Sequence, residues 1–205
     1  MNEAPSDGLF QNIACITTQN VARRRNNALR PHLSFARRRW ELRPDCGIAL
    51  RKEGGDVVEI GEPACSLVAT LATRIATLGG AALFIDYGPE KSGAGDSLQA
   101  LRDGQNVDPL ADPGGADLTA HVDFEALARA ATGAAVHGPL AQGLFLTRLG
   151  LFQRTGVLAR TLQPAAGAAM LDGARRLAEP DQMGRLFKVL CISHPALPEP
   201  PGFTA

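Results

Sequence analysis

Seven residues, AALFIDY at positions 81–87, constrain this chain more than any others. They form a continuous apolar run that ends on an acid. A strand apolar on both faces has to be covered on both, as in parallel or mixed sheets flanked by helices. The residues just before it supply one cover. Leu67, Val68, Leu71, Ile75 and Leu78 recur at helical spacing, and Pro63 stands where a first turn tolerates proline. Gly79-Gly80 stops that helix. Ahead of it, VVEI within residues 56–60 reads as a further short strand.

The pattern continues downstream. Asp123 is placed to cap a helix running to about Thr132, with Phe124, Leu127 and Ala128 as its apolar stripe. Residues 134–136 read as a strand, 142–151 as a short helix, and about 156–178 as a second helix. DQMGRLF restarts a helical turn and FKVLCI, residues 187–192, closes as a strand. Alternating helices and strands predict an α/β fold. Residues 88–117 are rich in Gly, Pro and Asp and read as a long loop, a length that in a compact domain is often functional. Its GPEKSGAG stretch lacks the Gly-Lys-Ser/Thr ending of a phosphate loop and predicts instead a mobile lid.

Charge divides the chain unevenly. Residues 1–55 hold ten Arg or Lys against five Asp or Glu, whereas residues 56–205 hold eleven against sixteen. From Gly8 to Trp40 there are seven arginines and no acid, with no sustained helical or strand periodicity. Three readings stay open for this lead-in: an organelle-targeting leader, a basic arm, or a segment without regular structure. Its arginine clusters lack the interleaved aromatics that stack on bases, which argues against nucleic acid. Cys15, Cys46, Cys65 and Cys191 are scattered, with no zinc or disulfide pattern. No apolar run reaches the roughly 18 residues of a membrane span.

Several stretches together carry a resemblance: GGAALFIDYGP, GDSLQALR, VDPLADPGGADLTAHVDF, GPLAQGLFLTRLG and DQMGRLFKVL. In this order they resemble the MidA-type family of S-adenosylmethionine-dependent methyltransferases, which includes the mitochondrial protein-arginine methyltransferase of respiratory complex I assembly. The resemblance covers residues 57–203 and leaves residues 1–55 unmatched. It implies a Rossmann-like methyltransferase fold of which residues 56–205 form the C-terminal part, incomplete by itself. It also implies S-adenosylmethionine as cofactor and a protein substrate, with a complex I subunit as one option. The glycine-rich ELGPGRG-type loop with which the family holds that cofactor has no counterpart here. VVEIGEPAC does not replace it, because Pro63 and Cys65 occupy the places where glycines would be needed for close approach.

The chemistry implied is methyl transfer to a nucleophile, an arginine nitrogen in the family's best-understood case. A guanidinium is planar and protonated at neutral pH, so carboxylates suit the task of gripping and orienting it. Asp86 and His121 are the catalytic candidates. Asp86 lies at a predicted strand end, where open α/β sheets place ligands, and its other reading is a cap for the next turn. His121 has the titration range of an acid or base, and its other reading is structural. Tyr87, Gly88, Thr119, Asp123 and Gln142 are the substrate-binding candidates, the favoured reading of Asp123 being a helix cap. Phe145 at helical spacing with Leu149 reads as core. No metal site is expected.

Two functions follow. One is a MidA-type methyltransferase, truncated, in a bacterial cytoplasm or, alternatively, a mitochondrial matrix. The other is a non-enzymatic module that binds a protein partner or a separately encoded cofactor-binding half. Homodimerisation is left open, and no S-adenosylmethionine binding is expected of this polypeptide alone.

Overall fold

The computed structural model describes residues 13–16, 57–109 and 114–204. The arginine-rich segment, with Cys46, lies outside these residues. Contacts divide the chain into two compact units.

The first unit holds a four-stranded sheet in the order β1-β2-β7-β6. β1 is Ile13–Ile16, in a region where the sequence predicted no periodic element. It pairs in parallel with β2, Ala81–Tyr87. β7, Phe187–Ser193, pairs antiparallel with β2 over seven residue pairs, from Ala81 opposite Ser193 to Tyr87 opposite Phe187. β6, Ala135–Ala141, lies antiparallel on the other side of β7, with its register shifted between His137 and Leu140.

Each face of this sheet is covered by helices, as the all-apolar β2 requires. On one face lie α1, Glu62–Leu78, and α2, Phe124–Ala130. Val68, Ala72 and Ile75 of α1 pack with Phe124 and Leu127 of α2 onto Ala82, Phe84, Leu190 and Ile192. Burying each large side chain here stabilises by about 1.5–3 kcal/mol. The α1 stripe is narrower than its periodicity suggests: Leu67 and Leu78 face solvent. Pro63 sits in the first turn as expected, and Gly79, at φ 82°, closes the helix by donating to Ile75. The other face carries Val189, Cys191, Phe145 and Phe203 as a second core. Phe145 belongs to α3, Gln142–Arg148, and is core as expected.

The second predicted helix of this region is in fact two. α4 is Leu151–Ala159 and α5 is Pro164–Ala178. Pro164 has no N–H to continue a helix, so it opens a new one at its first turn. α6, Met183–Leu186, is a single turn leading directly into β7.

The second unit includes residues 93–120 and contains three short strands. β3, Gln99–Arg102, pairs antiparallel with both β4, Gln105–Val107, and β5, Asp117–Thr119. The expected structureless loop therefore contains strands of a small sheet. Asp103 at φ 50° and Gly104 at φ 76° make the two-residue turn between β3 and β4. Two successive positive φ values are what the twist of a tight hairpin demands, and Asp-Gly is a favoured pair for it. The expected strand at 56–60 is not formed either. Val57 accepts a hydrogen bond from the Gly95 N–H at 2.9 Å, and the Glu59 carboxylate accepts from the Ser97 N–H at 2.9 Å and from its hydroxyl. The polar groups of 57–59 thus go to a loop rather than to a ladder.

Candidate functional site

The site grows from the C-terminal end of β2. There Asp86, Tyr87 and Gly88 leave the sheet at the end shared with the start of β7 and the end of β6. One row of the sheet runs from Asp86 through Lys188 to Ala141. Gln142 follows Ala141 directly, so the sheet brings Asp86 and Gln142 to the same end.

Asp86 is 5% exposed. One of its carboxylate oxygens accepts the Tyr87 N–H at 2.8 Å. That bond turns the acid along its own backbone and fixes its direction at the strand end. Gly88 is required by contact. A Cβ there would lie 2.1 Å from the carbonyl oxygen of Val122 and 2.8 Å from its nitrogen. The two backbones touch, and the Val122 N–H donates to the Tyr87 carbonyl at 3.0 Å. We call this paired turn the ledge. Tyr87 lies edge-on to His121, ring centres 5.5 Å apart, and edge-on to Phe187 at 5.7 Å. His121 is exposed, so its imidazole flanks the tyrosine while open to water.

The remaining candidates divide. The carboxylate of Asp123 accepts the Ala126 N–H at 2.9 Å and caps α2. Gln142 is buried and its amide donates to the Leu177 carbonyl at 2.8 Å, tying α3 to α5. Thr119 ends β5 and belongs to the other unit. The structure thus brings Asp86, Tyr87, Gly88 and His121 together, with Asp123 two residues along, and gives Gln142 a bond to the scaffold.

Several participants escaped the sequence reading. Glu125 accepts the Ser92 N–H at 2.7 Å, and Arg129 donates to the Ser92 hydroxyl at 2.9 Å. Together they clasp the chain leaving the ledge onto α2. The Ser92 amide, ahead of the nearby Arg129 and Lys91 charges, holds the Glu125 carboxyl below its ordinary range. Burial, followed by the Asp123 charge, raises the Cys65 thiol. Lys188 is buried beside Asp86, and burial lowers its pKa. These side chains carry no spacing signal; only the turn at Gly88 brings residues 90–92 back against α2.

Gly61, the glycine of VVEIGEPAC, precedes α1 at φ −89°, and a Cβ there would meet only Ala64 at an ordinary 3.9 Å. Nothing at this turn needs a glycine or forms a cradle. No group of three or more potential metal-ligating side chains occurs among the described residues. No helix among them is long and apolar enough to cross a membrane.

Residues 15–140 match the family described as "Putative S-adenosyl-L-methionine-dependent methyltransferase". The matched span starts ahead of residue 57, where the motif resemblance begins. A protein from Mus musculus named "Protein arginine methyltransferase NDUFAF7, mitochondrial" is 40% identical over 144 residues, covering 69% of this chain and 33% of the relative. The Drosophila melanogaster homologue is 41% identical over 130 residues, covering 61% of this chain and 29% of its own length. This chain therefore spans about a third of the curated relatives it matches. Its structure is similar to that of a Burkholderia thailandensis protein solved with bound S-adenosyl-homocysteine. The TM-score is 0.56 and the identity 29%, over 72% of this chain and 38% of that one.

Proposed function

Because the chain belongs to this family of S-adenosyl-L-methionine-dependent methyltransferases, we propose that it supplies the acceptor side of a MidA-type protein-arginine methyltransferase. The observation that carries this reading is the ledge: a buried carboxylate, an aromatic edge and an exposed imidazole at the C-terminal end of β2, in a chain 40% identical to a named arginine methyltransferase. Open α/β sheets bind ligands at this end.

The residues divide the work by their chemistry. A protein substrate presents a planar, protonated guanidinium. Asp86 is the carboxylate that orients it, its own direction set by the Tyr87 amide. Tyr87 and Phe187 offer aromatic surface on which a guanidinium stacks. His121, open to water beside Tyr87, accepts the proton that the attacking nitrogen must lose. Gly88 lets backbone approach backbone, so that all three stand on a fixed turn. Asp123 and Gln142 are assigned to the substrate side through the scaffold they hold. When bound, S-adenosylmethionine supplies the methyl group. The donor-gripping loop has no equivalent among the described residues, and no step is assigned through it.

The acceptor is proposed to be a protein, with a respiratory complex I subunit as the favoured case and a mitochondrial matrix or bacterial cytoplasm as the setting. Homodimerisation is part of the same proposal. A second reading, a binding module that pairs with a separately encoded cofactor-binding half, is supported by the ordinary cap at Gly61. Calorimetric titration with S-adenosylmethionine, and with S-adenosyl-homocysteine, separates the two. The binding-module reading expects no heat from the chain alone; micromolar binding refutes it. Arginine methylation of a peptide, followed by mass spectrometry with and without a full-length family protein, tests the first. No product in either mixture would remove the acceptor-side assignment.

A further inference from the structure

We propose that Lys188 is a positioning residue: by gripping the last turn of α6 it sets the height of the Tyr87–Gly88 ledge. This rests on the acceptor-side reading for its functional meaning, though not for its test.

Lys188 is 8% exposed and points to the same sheet face as Leu190 and Ile192, which are fully buried. An apolar residue in that row would bury at lower cost, since a buried ammonium loses its hydration unless it finds acceptors. It finds them at the end of α6. Its Nζ donates to the Arg185 carbonyl at 2.6 Å and to the Leu186 carbonyl at 3.4 Å. These are carbonyls that the helix's last turn leaves without internal partners. The Leu186 carbonyl also receives the Gly88 N–H, at 3.4 Å. One oxygen is thus shared between the buried cation and the ledge.

The surroundings make this link stiff. Phe187 lies between the shared oxygen and Lys188 in the chain, stands opposite Tyr87 in the sheet, and meets its ring at 5.7 Å. Lys188 stands opposite Asp86 in the next pair. From the other side, α6 is pressed close at Gly184, where a Cβ would fall 2.0 Å from the Ala178 carbonyl oxygen. The turn cannot settle inward, and the ammonium keeps it from drifting outward. Removing the cation frees Leu186 and so loosens Gly88, with the rest of the sheet left paired.

The test is amide hydrogen exchange by NMR on Lys188→Met, with the ring signals of Tyr87, the chain's single tyrosine, as a second readout. The expected result is about a tenfold loss of protection at the Gly88 amide and displaced Tyr87 ring resonances, with Leu190 and Ile192 amides unchanged. If methionine unfolds the sheet, Lys188→Gln, which keeps one donor without the charge, should give the same contrast at smaller size. Unchanged Gly88 protection, or an equal loss at every amide, overturns the proposal. Because neither readout involves methyl transfer, absence of methylation with a selective loss at Gly88 would refute only the activity reading.

Discussion

Replacing Gly88 by alanine tests the ledge most directly. The new Cβ would stand 2.1 Å from the Val122 carbonyl oxygen, where ordinary contact begins near 3.4 Å. The two backbones must separate by about 1.3 Å, the difference between those distances. The obstacle is backbone, so no side-chain rotation relieves it. Separation on that scale breaks the 3.0 Å bond between the Val122 N–H and the Tyr87 carbonyl and disturbs the 5.5 Å contact between Tyr87 and His121. Overpacking of this kind costs about 1–3 kcal/mol. The lost hydrogen bond adds about 1 kcal/mol. Together they predict destabilisation by about 2–4 kcal/mol, a large part of a domain's usual margin. In urea the midpoint should fall by about 1–2 M at unchanged slope. An unfolding free energy within about 0.5 kcal/mol of the unmodified chain would refute the claim that the two backbones touch.

Four further substitutions probe other parts of the fold. In α5 two glycines should behave oppositely. A Cβ at Gly173 meets open space, so Gly173→Ala should stabilise by about 0.5–1 kcal/mol, whereas at Gly167 it would sit 2.7 Å from the Ala159 carbonyl oxygen and Gly167→Ala should destabilise; thermal melts of the pair check the sign. Asp123→Ala removes the cap of α2 and should cost about 1 kcal/mol, read by urea unfolding. Burial pushes the Cys191 thiol up to about 11 from an ordinary 9.0. The unfolded chain loses this proton first as pH rises, so the neutral thiol's contribution to stability is complete below pH 9 and lost as pH climbs through 11. Melting temperature should fall across that window, and less steeply in Cys191→Ala.

The elements that sequence alone made legible are those set by local rules. The unbroken apolar run of β2, the proline and paired glycines bounding α1, and the carboxylate at the start of α2 each act within a few residues of themselves. The identity of Asp86 as a strand-end acid was legible for the same reason. Two misses had local signals: Asp103-Gly104 marked the β3–β4 hairpin and Pro164 marked the break between α4 and α5. Other features had no local signal. VVEI has strand composition, but a strand exists only where a neighbouring ladder accepts it, and its polar groups find a loop instead.

Tertiary structure alone decided which groups share the site. Sequence determined that a strand must run through Asp86 to its end at Tyr87 and be covered on both faces, because hydrophobic pattern and turn chemistry are local. It could not determine that Val122 would pass within touching distance of Gly88. Nor could it show that Glu125 would reach back to Ser92, or that Lys188 would turn from its strand to the carbonyls of α6. The first two join segments more than thirty residues apart, and the third, though its partners lie within three residues, depends on the burial of Lys188; all are selected by the packing of the whole sheet, which leaves a buried polar group only the partners that the fold brings near.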